Sequence, residues 1–140
     1  MIEEFKGKHR WLSNFAPAIV EHRGMVFMSV EAAYQSAKTT DLKAAARFTD
    51  MAPGEAKAAG RNLTIRPDWD DVKCSVMEHL LRQKFTNILD YKILLLGTED
   101  QLIVEGNWWG DTFWGVCKGV GENHLGRLIT VSYTHLTLPT

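Results

Sequence analysis

The sequence predicts an α+β fold, a single compact helix-rich domain with a small, mainly antiparallel sheet, and three features make that prediction. Residues 69–87 carry Trp69, Val72, Val76, Met77, Leu80, Leu81 and Phe85 at helical spacing, with Asp68, Asp70 and Asp71 at the N-terminal end, where acids suit the helix dipole. Two β-prone runs, 18–22 and 25–27, flank Arg23-Gly24, which is hairpin spacing. Residues 106–121 hold five glycines among Trp108, Trp109, Phe113 and Trp114. No long helix tolerates that composition, because each interior glycine costs about 1 kcal/mol relative to alanine.

The remaining elements follow in order. Ser29 is placed to cap a helix over 30–39, with Glu31 in its first turn. Val30, Ala33, Tyr34 and Ala37 give that helix a buried stripe, and Glu31, Gln35 and Lys38 form a second, polar stripe beside it. By spacing alone the polar stripe fits a solvated flank as well as a site. Residues 42–51 are alanine-rich and helical, and Pro53 opens a further helix that Gly60 stops as its C′ residue. A short helix over 89–96, a turn at 97–100 and a strand over 101–105 lead into the glycine-rich segment, and a last helix follows.

That last helical register stops near residue 130. Val131 to Thr140 reads VSYTHLTLPT, without a charged side chain and with Ser, Thr and Pro that continue a helix poorly. The segment also resembles a translated sequencing-library adapter, so 131–140 is expected to be a non-native, disordered tail on a domain spanning 1–130.

Composition narrows the function. The 140 residues carry 16 Lys+Arg against 17 Asp+Glu, for a formal net charge of −1, and 45% are hydrophobic. A chain of this size buries roughly 68% of the surface its unfolded form exposes, so neither disulfides nor metal are needed for a core. The balanced charge removes the usual electrostatic signature of a general nucleic-acid binder. Cys74 and Cys117 lie outside any metal-ligand spacing and are expected to be buried thiols in a reducing, cytoplasmic setting. No signal peptide or membrane-length apolar run is present. The histidines His9, His22, His79 and His124 form no ligand pattern and are read as structural.

The sequence contains no HExxH, GxSxG, Walker A or GxGxxG pattern. What remains is a set of acids, amides and lysines among aromatics: Glu31, Gln35, Lys38, Lys84, Glu105, Asp111 and Asn123. A carboxylate can protonate a leaving group or steady a cationic sugar centre, and a lysine amine can attack an open-chain sugar aldehyde. Glycines let the backbone approach a ligand, and tryptophans offer flat stacking surface. Both ideas point to glycosyl chemistry, although each polar residue taken alone fits a surface charge or a cap equally well.

Taken together, several motifs occur in an order that resembles the NADAR superfamily over about residues 5–129. They are Leu12-Ser13-Asn14-Phe15, the Ser29 to Lys38 helix, Gly60-Arg61, Trp69 with Met77 and Lys84-Phe85, Leu102 to Glu105, Asp111 to Gly115, and Gly121 to Arg127. The resemblance implies an N-glycosidase that hydrolyses the C–N bond between a ribose and a heterocyclic base. The ribose would carry a 5-phosphate, in the ribosylamino-pyrimidine intermediates of riboflavin synthesis, or belong to ADP-ribose on modified guanine. A module that binds ADP-ribose without cleaving it is the alternative. Carried over by position, Glu31 is the acid/base, Lys38 the amine that can hold C1 as a Schiff base, and Asp111 the group that orients base or water. Asn14, Gln35, Arg61, Trp114, Gly115 and Asn123 contact substrate. Ideal helix geometry puts Glu31 and Lys38 about 10.5 Å apart along the axis, with Gln35 between. No cofactor or metal is implied. The partner is a small phosphorylated riboside or an ADP-ribose adduct, and nucleic acid enters only if the substrate is a modified base. Ala16 departs from the aromatic residue that the family often carries there.

Overall fold

The structure, a computed structural model, describes residues 1–139. Its elements in chain order are β1 (Ile2–Glu4), a 3-10 helix (Gly7–Leu12), β2 (Pro17–His22), β3 (Met25–Ser29), α1 (Val30–Ser36), α2 (Leu42–Ala46), a second 3-10 helix (Arg47–Asp50), α3 (Pro53–Gly60), α4 (Trp69–Asn87), α5 (Leu89–Leu96), β4 (Ile103–Asn107), β5 (Val116–Cys117) and α6 (His124–Thr137). The α+β class is as expected. The chain groups into two compact units, Asn14–Lys84 and Met1–Ser13 with Phe85–Thr140.

In the unit Asn14–Lys84, β2 and β3 pair antiparallel with Val20 opposite Phe27 and His22 opposite Met25. Their inner face buries Ala18, Val20 and Phe27. Helix α1 leaves β3 directly. The Ser29 hydroxyl accepts the Ala32 N–H at 3.1 Å, and the Asn14 carbonyl accepts the Glu31 N–H at 3.1 Å. Every residue of α1 is buried, so this is a core helix, against which α3 and the hairpin pack. It ends at Ser36, three residues before the predicted end. Beyond it the N–H groups of Lys38 and Thr39 bond three residues back, in 3-10 fashion, to the carbonyls of Gln35 and Ser36 (3.2 and 3.5 Å). The Arg23 guanidinium caps the end of the helix, donating to Ser36 O at 2.9 Å and Thr39 O at 2.8 Å.

Helix α2 is likewise shorter than predicted, passing into the 3-10 helix after Ala46. Helix α3 has the predicted bounds for another reason: Gly60 is its last helical residue, and Arg61 is the C-cap with a right-handed conformation. Gly60 is therefore not the left-handed terminator that the sequence suggested. Helix α4 begins and ends as predicted and buries Trp69, Val76, Met77, Leu80 and Leu81.

In the other unit β1 pairs with β4 and β4 with β5, all parallel. The mainly antiparallel expectation thus describes the hairpin alone. A parallel sheet was invisible in sequence because β1 has three residues and β5 two, too few for an alternation to register. Residues 108–115 join the parallel strands β4 and β5 without a helix, a connection shorter than the dozen or more residues usual for parallel neighbours. Helix α6 packs on β4, and α5 on α6, around Leu95, Ile103, Leu125, Leu128 and Ile129.

Helix α6 does not stop near residue 130, and this corrects the expectation of an immediate break. Ser132 continues the buried stripe of Leu125, Leu128 and Ile129. The hydroxyls of Thr130 and Thr134 bond back to the carbonyls of Gly126 and Thr130 (2.9 and 3.1 Å), so these residues are accommodated in the helix. Thr140, the end of the expected tail, lies outside the described residues. Cys74 and Cys117 are free thiols, half-buried where full burial was expected. No helix among the described residues is long and apolar enough to cross a membrane.

Candidate functional site

The candidate residues divide between the two units. Asn14, Glu31, Gln35, Lys38 and Arg61 lie in Asn14–Lys84, and Asp111, Trp114, Gly115 and Asn123 lie in the other.

The first group is built on α1. Glu31 and Gln35 are one helical turn apart, both buried, and the Gln35 Nε2 donates to Glu31 Oε2 at 3.0 Å. A buried carboxylate requires such donors, since its desolvation is otherwise costly. The polar stripe is accordingly no solvated flank. The Gln35 Oε1 is buried without a hydrogen-bond partner and faces Gly60, where an added Cβ would lie 2.0 Å from it.

Lys38 stands in the turn after α1 rather than on the helix, which revises the ideal-helix spacing to Glu31. Its backbone is held by the Arg66 N–H donating to the Lys38 carbonyl at 2.7 Å. Its Nζ lies 5.6 Å from the centre of the Tyr34 ring, and Tyr34 in turn packs on Trp69 at 5.1 Å. Burial lowers the Lys38 pKa; Lys57, Arg61 and Lys73 lower it further and Glu31 opposes them. The amine is thereby biased toward its neutral, nucleophilic form. Arg61 is exposed among these cations. Asn14 donates weakly from Nδ2 to the Met77 sulfur at 3.5 Å, and its Oδ1 is buried without a hydrogen-bond partner.

The second group braces the 108–115 loop. The Asn107 Oδ1 accepts the Asp111 N–H at 3.0 Å, and its Nδ2 donates to the Asp111 carbonyl at 2.9 Å and to Glu105 Oε2 at 2.9 Å. The Asp111 Oδ1 accepts the N–H groups of Phe113 and Trp114 at 3.1 and 2.9 Å. One oxygen of the expected water- or base-orienting acid is thus an organiser of the loop. Gly115 is required for close approach, because a Cβ would lie 1.8 Å from Glu105 Oε2 and 2.2 Å from the Glu105 carbonyl. Trp114 is half-buried edge-on to Phe113 at 4.9 Å, whereas Trp108 is 75% exposed. Asn123, at φ 54, uses both ends of its amide on β4: Oδ1 accepts the Glu105 N–H at 3.0 Å and Nδ2 donates to the Ile103 carbonyl at 2.9 Å. Its side chain joins α6 to β4, and in this arrangement it positions main chain.

Sequence reasoning missed Arg23, Tyr34, Arg66 and Asn107 as supporting groups. Arg23 is told apart only by the structure, where a long side chain in a hairpin turn at positive φ, 53°, is uncommon enough to ask what it holds. Lys84, noted among the polar candidates, is fully buried on α4, and burial lowers its pKa to about 7.

Comparison with known proteins follows the same lines. The family model described as the NADAR domain matches residues 3–136. A protein of Nostoc punctiforme named N-glycosidase Npun_R5314 is 37% identical over 124 residues, covering 84% of this chain and 79% of its own length. The riboflavin biosynthesis protein VVA0006 of Vibrio vulnificus is 31% identical over 125 residues, 86% of this chain and 34% of that longer protein. The NMR structure of the E. coli protein YbiA superposes with a TM-score of 0.83 at 28% identity, covering 97% of this chain and 86% of that one.

Proposed function

This chain belongs to the NADAR domain family, and from that premise we propose that it is an N-glycosidase that hydrolyses the C–N bond between a ribose and a heterocyclic base. The substrate class is a ribosylamino-pyrimidine carrying a 5-phosphate, of the kind formed early in riboflavin synthesis. The setting is the cytoplasm, and the partner is this small molecule.

The observation that carries the proposal is the buried carboxylate Glu31 on α1, followed in the turn after that helix by an amine, Lys38, whose pKa is lowered by burial. Glu31, protonated, gives its proton to the departing nitrogen. In the ring-opened sugar the neutral Lys38 amine adds to C1, the C–N bond to the base breaks with that proton, and a lysine Schiff base remains. Water then adds to C1 and returns the amine, releasing ribose phosphate, so that one water is consumed per base released. Gln35 holds Glu31 in place. Arg61, with Lys57 and Lys73 around Lys38, supplies positive charge suited to a phosphate, the Arg fork bidentately. The free Oδ1 of Asn14 accepts from a sugar hydroxyl. In the other unit Trp114 presents a flat aromatic surface, Asp111 and Gly115 shape its loop, and Asn123 holds the main chain of β4.

The test is a product assay with two substrates in parallel, a ribosylamino-pyrimidine 5-phosphate and ADP-ribosylated guanine, on the wild type, Glu31→Gln and Lys38→Ala. Release of the pyrimidine, lost by about 100-fold or more in each variant, supports the proposal. Release of guanine alone assigns the chain to ADP-ribose adducts, and tight binding with no released base on either substrate assigns it a binding role.

A further inference from the structure

Gly60 closes a helix in which alanine would be the better helix former, and it adopts an ordinary helical conformation with no positive φ to require glycine. Its backbone is therefore not what demands it. What demands it is Gln35: a Cβ at position 60 would meet Gln35 Oε1 at 2.0 Å, Cδ at 2.8 Å and Cγ at 3.4 Å, three atoms of one side chain. The same Gln35 is 95% buried and donates from Nε2 to Glu31 Oε2 at 3.0 Å. Its other end, Oε1, has no hydrogen-bond partner and faces the Gly60 Cα, whose hydrogen stands where a side chain would begin.

We propose that Gly60 is a positioning residue for the glycosidase reaction, acting through Gln35 on Glu31. The bare Cα of Gly60 forms the seat for the carbonyl end of the Gln35 amide, and with that end seated the NH2 end points at the carboxylate. A methyl at position 60 displaces the amide, because Oε1 must retreat by about 1 Å or more to reach ordinary contact, and a side chain buried between α1 and α3 cannot do so without leaving its rotamer. Glu31 then loses a donor to its charged form, and the carboxyl becomes easier to protonate. The inference rests on the reading of Glu31 as the catalytic acid.

The experiment is a double-mutant cycle with Gly60→Ala, Gln35→Ala and the pair, read by kcat, KM, the pH profile and the side-chain amide NMR signals of Gln35. Gly60→Ala is expected to lower kcat by about 10- to 100-fold with little change in KM. The alkaline limb of its pH profile, set by loss of the proton from Glu31, moves to higher pH, its Gln35 amide signals shift, and the double variant is no slower than Gln35→Ala alone. If Gly60→Ala does not fold, recovery of folding in the double variant supports the same seat, and failure of both overturns it. Unchanged Gln35 signals in a folded Gly60→Ala, or additive losses in the cycle, also overturn it. Glu31→Gln run alongside separates the two claims. Full activity in that variant refutes the acid assignment, while the NMR signals still report whether Gly60 seats Gln35.

Discussion

Lys84 and Lys38 are both amines whose proton affinity burial lowers, and the sign of the effect fixes what each does with pH. For Lys84 the folded pKa is about 7 against an ordinary 10.5, so between those values the unfolded chain binds the extra proton. Stability therefore rises with pH across that window, by at most about 1.4 kcal/mol per pH unit, and below about pH 7 the penalty is at its full size. Denaturant unfolding at pH 6, 8 and 9.5 should show a steeper rise for the wild type than for Lys84→Met, whereas parallel curves would show that the buried amine does not titrate there. Lys38 acts on rate. Its neutral fraction at a given pH is raised by burial, and Lys38→Arg, which keeps the charge but cannot lose it, should abolish release of base in the product assay while leaving thermal stability within a few degrees. These amines were legible only as residue types in a pattern. Nothing local to Lys84 says that it is fully buried, because that depends on what packs against α4.

Among the elements, α1 is short, seven residues, and short helices depend on their ends. Ser29→Ala removes the bond to the Ala32 N–H and should cost about 1 kcal/mol in chemical denaturation; no change would mean that packing of α1 makes the cap redundant. Asn123 joins α6 to β4 through two main-chain bonds, and Asn123→Ala should cost about 2 kcal/mol or more, since both partners lose their bonds and alanine suits positive φ poorly. The helices α3, α4 and α5 were legible with their bounds, because periodicity and turn residues are local signals. Gly60 was misread because a glycine at a helix end usually serves the backbone, and here a side chain from another helix occupies the space. The loop braced by Asn107 and Asp111 was legible as a glycine- and tryptophan-rich segment. Its hydrogen bonds and the parallel strands it joins were not, since they pair residues whose own sequence carries no alternation.

For the whole molecule, the length of α6 bears on stability. The sequence suggested a disordered tail after residue 130, yet Ser132 is buried and the helix extends to Thr137. Truncation after Thr130 should lower the melting temperature by several degrees, and an unchanged melting curve would restore the reading of 131–140 as a dispensable appendage. The functional claim has a more direct measurement. In a single-turnover experiment, enzyme in excess over a ribosylamino-pyrimidine 5-phosphate is quenched with borohydride, followed by quantification of free pyrimidine and peptide mapping. The account predicts stoichiometric release of the pyrimidine and a reduced ribose 5-phosphate adduct on Lys38, with both lost in Lys38→Ala and slowed about 100-fold or more in Glu31→Gln. Undiminished release by both variants, with no adduct on Lys38, would contradict it.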